Sequence, residues 1–249
     1  MDQTVATLQQ WINESSRIVF FGGAGVSTES GIKDFRSVDG LYSQKYDYPP
    51  ETILSHSFFI KHPEAFYRFY RDKMIVRNAA PNPAHQKLAQ LEQAGKLLAV
   101  VTQNIDGLHQ AAGSKTVYEL HGSTLRNYCP RCGKRFPLSA IADTTGLPHC
   151  DSSGCQGIIR PDVVLYEEAL DPDVMDGAIA AIRQADLLII GGTSLVVYPA
   201  AGLVNYYRGS RLVLINRDPT AMDASADLTI NAPIGEVFSQ IEVTSCPSN

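Results

Sequence analysis

The stretch that decides the fold reads Ile18-Val19-Phe20-Phe21-Gly22-Gly23-Ala24-Gly25-Val26-Ser27-Thr28. Four consecutive apolar residues with no polar alternation fit a strand covered on both faces, as in a parallel sheet. The turn that follows has the spacing Gly23-x-Gly25-x-x-Thr28. A strand, a glycine-rich turn and a helix start place backbone N–H groups where a pyrophosphate can sit. The three-glycine fingerprint is incomplete, so the turn alone is equally compatible with tight packing. No Asp or Glu ends a strand about twenty residues further on to hold an adenine ribose. Asp34 and Asp39 lie near that spacing but in a glycine-containing loop, which disfavours a conventional hydride-transferring dehydrogenase.

Other short apolar runs repeat the first one. Leu97–Thr102 precedes Gln103-Asn104, Leu187–Ile190 precedes Gly191-Gly192, Leu212–Ile215 precedes Asn216, and Leu228–Ile230 is a weaker fifth. Helical patterns over His85–Ala94 and Asp173–Gln184 lie between them, and Val5, Leu8, Trp11 and Ile12 recur at helical spacing near the start. Strands alternating with helices predict an α/β fold, a doubly wound parallel-sheet Rossmann-like domain. Two stretches interrupt the rhythm. Gly31–Ala80 is rich in Phe and Tyr without a strand pattern and reads as a loop followed by a helical insertion; Cys129–Cys155 reads as a small inserted zinc-binding module. The expected division is Rossmann-like domain over 1–36, 81–122 and 161–245, cofactor loop and helical insertion over 37–80, zinc module over 123–160, and a tail over 246–249.

Composition sets outer limits. The chain has 249 residues, enough for one large domain plus a small module at ~100–200 residues per domain. Lys+Arg is 21 against Asp+Glu 26, a formal net charge of −5, which argues against whole-surface attraction to nucleic acid or anionic lipid. No apolar run approaches the ~20 residues that span a bilayer. The opening residues lack a secretory pattern, so a cytoplasmic protein with reduced thiols is expected.

Four of the five cysteines read Cys129-x2-Cys132, seventeen residues, Cys150-x4-Cys155. Two closely spaced pairs can offer four thiolates to one tetrahedral zinc, with Gly133 and Gly154 permitting the tight turns. With all four ligands from protein the site is structural rather than catalytic; a variant reading places His149 in the position of Cys150. Cys246 stands apart in the tail.

The strand ends carry polar groups. Thr102-Gln103-Asn104-Ile105-Asp106 follows one strand, Gly191-Gly192-Thr193-Ser194 another, and Asn216 a third. On one sheet these ends converge on the carboxyl edge, where ligands bind in such folds. Asn104 or Asp106 could equally cap the helix beginning near Gly107. His121 follows a short strand-like run and precedes Gly122, a context suited to a cleft, and imidazole is the side chain best placed to take a proton near neutral pH. His56, His62, His85 and His109 read as structural or surface residues.

Taken jointly, Gly23-Ala24-Gly25-Val26-Ser27, Gly31-Ile32-Lys33-Asp34-Phe35-Arg36, Thr102-Gln103-Asn104-Ile105-Asp106, His121-Gly122, the four cysteines and Gly192-Thr193-Ser194-Leu195-x-Val197 occur in sirtuin order. The chain resembles a bacterial sirtuin, an NAD-dependent protein-lysine deacylase, from about Leu8 to Phe238. The resemblance implies that Gly23, Ala24, Gly25, Thr28, Asp34, Phe35, Arg36 and Gln103 line the dinucleotide site. It implies that Ile105 and Asp106 hold the nicotinamide, Asn104 the adjoining ribose, and Gly192, Thr193, Ser194, Asn216 and Ile234 the adenosine half. His121, with Asn104, would be catalytic, the histidine as general base. Val163, Val164, Leu165 and Tyr166 would pair with the backbone of an acylated-lysine protein or peptide, a strand-addition mode tolerant of sequence. Nicotinamide and O-acyl-ADP-ribose would be the products, mainly from acetyl-lysine, and one zinc would sit on Cys129, Cys132, Cys150 and Cys155. A monomer is favoured.

The chain departs from the family pattern at three places. Lys33 replaces the usual Pro, Glu167 stands where a Gly is common, and Tyr70-x-x-Lys73 lacks the Arg of sirtuins that prefer acidic acyl groups. Lys meets a carboxylate as a point charge and not bidentately, so little preference for succinyl- or malonyl-lysine is expected. Two other functions stay open on sequence: NAD-dependent ADP-ribosyl transfer, and a zinc- and nucleotide-dependent binding module. The second would use the basic cluster Arg126, Arg131, Lys134 and Arg135, for which a solvated rim or a peptide-docking surface is expected, not nucleic-acid binding.

Overall fold

The computed structural model describes residues 2–34 and 47–244. Its nine strands, among the described residues, are β1 (Ile18–Gly22), β2 (Leu97–Thr102), β3 (Val117–Glu119), β4 (Gly122–Tyr128), β5 (Arg135–Pro137), β6 (Arg160–Val163), β7 (Leu187–Gly191), β8 (Leu212–Ile215) and β9 (Leu228–Ile230). The α-helices are α1 (Gln3–Glu14), α2 (Pro50–Ile53), α3 (His56–Lys61), α4 (Pro63–Phe69), α5 (Pro83–Gln93), α6 (Leu108–Ala111), α7 (Ser139–Ala142), α8 (Pro172–Gln184) and α9 (Ile234–Ser239).

Six strands form one parallel sheet in the order β3-β2-β1-β7-β8-β9. All five residues of β1 and of β7 are buried, as the unbroken apolar runs predict. Ile18 and Phe20 pack with α1, α5 and α9 on one face, while Val19 and Phe21 pack with α8 and the 3-10 helix Ala200–Tyr206 on the other. Strand order reverses between β1 and its neighbours β2 and β7, which puts a crevice at the carboxyl ends of these three strands.

Local chemistry fixes the helix ends. Asn82 accepts from the Ala84 N–H at 2.9 Å while its own N–H meets His85 Nδ1 at 3.3 Å, a reciprocal cap in which His replaces the usual Glu or Gln. Asp171 caps α8 by accepting from Asp173 and Val174. Buried Lys96 donates from Nζ to the carbonyls of Ile12, Asn13 and Ser15, so all three ammonium protons serve the C-terminal end of α1.

The second unit is the antiparallel sheet β5-β4-β6, and its apolar side merges with the helical insertion α2–α4 into one cluster that contains Phe59, Phe66, Tyr67, Ile141 and Ile159. The turn after β1 differs from expectation. Instead of an α-helix start, two 3-10 turns follow, Ala24–Val26 and Thr28–Ser30. The Gly25 N–H is committed to the Gly192 carbonyl at 2.8 Å and the Gly23 N–H to Gly191 at 3.2 Å, so the local turn is held by the neighbouring strand end and no helix propagates.

Candidate active site

Gly191-Gly192 approaches the β1 turn so closely that a Cβ on Gly192 would lie 2.3 Å from the Val26 nitrogen, and one on Gly25 2.8 Å from the Gly192 Cα. Gly192 also has φ +60°, a conformation that favours glycine. This contact joins the ends of β1 and β7 at the floor of a cavity of about 830 Å³. Every described candidate for cofactor or substrate contact lines that one cavity, from Gly23 and Thr28 at the first turn through Gln103–Asp106 and His121 to Asn216, Ile234 and Val163–Tyr166. Phe35, Arg36 and Cys246 lie outside the described residues.

The β2 end is organised around Ser27. Its hydroxyl donates to Asp106 Oδ2 at 2.7 Å and accepts from Asn104 Nδ2 at 3.1 Å. Asp106 Oδ1 accepts from the Leu108 N–H at 2.9 Å, so Asp106 both caps the start of α6 and faces the cavity; the capping and binding readings of this residue are compatible. The Ile105 carbonyl is held by the Thr124 N–H at 2.9 Å and hydroxyl at 3.0 Å. Gln103 Nε2 donates to Thr193 Oγ1 at 3.0 Å, and Asn216 Nδ2 to the Thr193 carbonyl at 2.7 Å, tying the three strand ends together. The N–H groups of Ala24, Thr193 and Ser194 make no hydrogen bond among the described residues. Unpaired main-chain donors at adjacent strand ends are the elementary requirement for a pyrophosphate, so the residues present fit a dinucleotide.

His121 is half-buried at the junction of β3 and β4. Its Nδ1 lies 3.0 Å from the Gln103 carbonyl. A carbonyl only accepts, so Nδ1 carries the proton and Nε2 keeps its lone pair. Burial lowers the histidine below its ordinary value of 6.5, with the Gln103 bond acting in the opposite sense. The ring is therefore neutral at pH 7 and able to accept a proton. Gly122 next to it has φ +75°, and a Cβ there would lie 2.0 Å from the Asp162 carbonyl oxygen, so the turn from the large sheet into the small one requires glycine.

Behind this site sits a histidine pair whose members, expected to be structural or surface residues, are both structural. His85 and His109 are both buried, with ring centroids 4.7 Å apart. Burial pushes His85 down to about 4, opposed by the Asp106 charge, and His109 down to about 3, assisted by the neighbouring His85. Their proximity is a tertiary effect, because α5 and α6 meet only in the folded protein.

The segment Val163–Tyr166 has much of its backbone occupied. Val164 N–H donates to the His121 carbonyl, Tyr166 N–H to Leu54 and the Tyr166 carbonyl accepts from His56, each at 3.0 Å. Leu165 N–H donates to Glu168 Oε2 at 2.9 Å and its carbonyl accepts from the Glu168 N–H at 3.1 Å. The Val164 carbonyl and the N–H and carbonyl of Glu167 hold no hydrogen bond among the described residues, so the polar edge extends to a residue the sequence reading left out. Lys73 lines the cavity, whereas Tyr70 is fully buried and stacks on Phe66, away from it. Most of the basic cluster has partners: Arg126 bonds Glu119 and Asp162, Lys134 bonds Asp151 and Arg131 bonds the Cys155 carbonyl, while exposed Arg135 lies 3.9 Å from Asp162.

The four cysteine Sγ atoms lie within 4.8 Å of one another, with Cys129–Cys155 at 3.5 Å and Cys132–Cys150 at 3.7 Å. Zinc–sulfur bonds of about 2.3 Å in a tetrahedron give sulfur–sulfur edges near ~3.8 Å, so the cluster suits one structural zinc. Cys150, and not His149, completes the set. Gly133 and Gly154 adopt φ +74° and +71°, as the turns demand.

Comparison with known proteins agrees with this geometry. The model of the Sir2 family matches residues 23–199. The chain belongs to the Sir2 family. An NAD-dependent protein deacetylase of Clostridium acetobutylicum is 59% identical over 237 residues, covering 94% of this chain and 96% of that protein. A solved Sir2 complex with p53 peptide and NAD+ has TM-score 0.82 and 41% identity, covering 94% of this chain and 95% of that one. Another Sir2 structure, with a deacetylated p53 peptide and 3′-O-acetyl-ADP-ribose, has TM-score 0.84 and 40% identity over 94% of this chain and 96% of that one. A large parallel sheet and a small module flank the cavity; no helix among the described residues is long and apolar enough to cross a membrane.

Proposed function

We propose that the protein is an NAD-dependent protein-lysine deacylase acting mainly on acetyl-lysine. The observation that carries this reading is the convergence of His121, the Ser27–Asn104–Asp106 network and the unpaired N–H groups of two strand ends on one cavity. Bound there, NAD would supply an activated ribose that becomes the acyl acceptor, with nicotinamide displaced from it and, once water enters, lysine freed from the acyl group. Ala24, Thr28, Gln103, Thr193, Ser194, Asn216 and Ile234 hold the dinucleotide. Asp106 and Ile105 orient the nicotinamide amide, their own positions fixed by Ser27, Leu108 and Thr124. Asn104, with its amide anchored on Ser27, places the ribose side of the site. His121 takes a proton at Nε2, its tautomer set by the Gln103 carbonyl. The apolar walls, including Ile105, Val163 and Leu165, limit water around the reacting carbon.

The substrate is an acylated-lysine protein or peptide. Lys73, already paired with Asp72 at 3.1 Å and able to meet a carboxylate only as a point charge, and the buried Tyr70 favour neutral over acidic acyl groups. We place the monomeric protein in the cytoplasm, where the zinc thiolates stay reduced. The matched charges around the zinc module favour this reading over a nucleic-acid module. Changing His121 to Ala tests the assignment. Deacylation is lost while bound zinc, thermal stability and NAD affinity are retained; turnover within tenfold of wild type would remove His121 from the chemistry.

A further inference from the structure

Glu167 sits where the chain needs a glycine-like backbone, with φ +75°, yet it is an exposed, charged residue. Its carboxylate turns back onto the helical insertion. Oε2 accepts from the Ser57 N–H at 2.9 Å and from the Ser57 hydroxyl at 2.6 Å. These two bonds hold the carboxyl group below its ordinary range, with the hydroxyl contributing most. The Ser57 N–H is one of the donors that the first turn of α3 leaves without an intrahelical partner. The N–H of His56 goes to the Tyr166 carbonyl at 3.0 Å, and that of Phe58 to Ser55 Oγ at 3.2 Å. Two of these three donors are thus satisfied by the segment 166–167. Next to it, Glu168 joins His56 Nδ1 at 2.7 Å, the Leu165 N–H and Arg160.

The Tyr166 backbone is therefore consumed by the insertion, and the N–H and carbonyl of Glu167 are left to meet a peptide at the cavity edge. The two peptide planes of a residue turn with its φ and ψ, and a side chain anchored at its far end restricts that rotation. We propose that Glu167 is a positioning residue for the acyl-lysine substrate, its carboxylate latched on Ser57 so that its own main chain is presented at a fixed angle. This inference rests on the deacylase reading. A glycine in this place would adopt the same backbone without holding it there, so the latch is a property of this chain's own glutamate and serine.

The test measures peptide KM, NAD KM and kcat by nicotinamide release for wild type, E167A, E167Q, E167G and S57A, with thermal melts of each. Losing the latch should raise peptide KM roughly three- to tenfold, the range set by one or two hydrogen bonds, with NAD KM within about twofold. E167Q retains an acceptor oxygen and should fall between wild type and E167A. S57A keeps only the N–H donor and should do the same. E167G is the decisive variant: it relieves the positive φ but cannot bond Ser57, so its peptide KM should rise like that of E167A. A wild-type peptide KM in E167G or E167A overturns the latch while the deacylase stands. A wild-type protein that releases no nicotinamide with any acyl-lysine peptide overturns the functional reading, and the proposal with it.

Discussion

Replacing Gly192 with Ala tests whether the close approach of the β1 and β7 ends builds the cofactor floor. The new Cβ would lie 2.3 Å from the Val26 nitrogen and 2.6 Å from the Gly25 carbonyl carbon, both rigid backbone atoms. Ordinary contact begins near 3.4 Å, so the two turns must part by about 1 Å. That opening breaks the Gly25 N–H bond to the Gly192 carbonyl, now 2.8 Å, at roughly 1 kcal/mol. Placing Ala at φ +60° costs roughly 1–2 kcal/mol more. With the residual strain, the loss is about 3–4 kcal/mol. For a chain of this size each kcal/mol lowers the melting temperature by roughly 2–4 °C, giving about 6–16 °C. Gly146 is the control, with φ +77° and nothing within 4 Å of its added Cβ, so Gly146→Ala carries the backbone cost alone. Melting curves and NAD titrations of the two variants separate the effects. G192A should melt well below G146A and lose NAD affinity while G146A keeps it. Equal melting temperatures with unchanged NAD binding would refute the argument that this contact shapes the site.

Two further outcomes follow from the buried groups. Zinc content should be one ion per chain on the four cysteines, and Cys129→Ser or chelation should lower the melting temperature and abolish peptide turnover, with activity and stability indifferent to zinc loss as the contrary result. His85 and His109 titrate at about 4 and about 3 in the folded protein against an ordinary 6.5. Between pH 6.5 and about 4 the unfolded chain binds the additional protons, so stability falls as pH falls, by up to roughly 1.4 kcal/mol per pH unit for each histidine. Urea midpoints at pH 7 and 5 should differ accordingly and His109→Gln should shrink the difference; a pH-independent midpoint contradicts the burial argument.

The parts legible in the sequence were those whose physics is local. β1, β2, β7 and β8 were readable because strands buried on both faces carry long apolar runs, while half-buried β9, Leu-Thr-Ile, gave a weaker signal, and the cysteine spacing declared the zinc module. The turn after Gly22 was misread as a helix start because the partner of the Gly25 N–H, the Gly192 carbonyl, lies far along the chain. The His85–His109 pair was hidden for the same reason, since α5 and α6 meet only in the folded protein. Ser27 was quoted within the glycine motif without a role; its contacts with Asn104 and Asp106 needed β1 and β2 side by side. The basic cluster near the zinc looked like an open charged face, but its partners Glu119, Asp151 and Asp162 are spread over 43 residues' distance in sequence numbering, so matching was invisible.

The most direct test of the central claim is mass spectrometry of the products formed from NAD with and without an acetyl-lysine peptide. The account predicts that nicotinamide is released only with the peptide, in step with deacetylated peptide and O-acetyl-ADP-ribose. Equal nicotinamide release without peptide, or ADP-ribose attached to protein in place of the acetylated product, would contradict it.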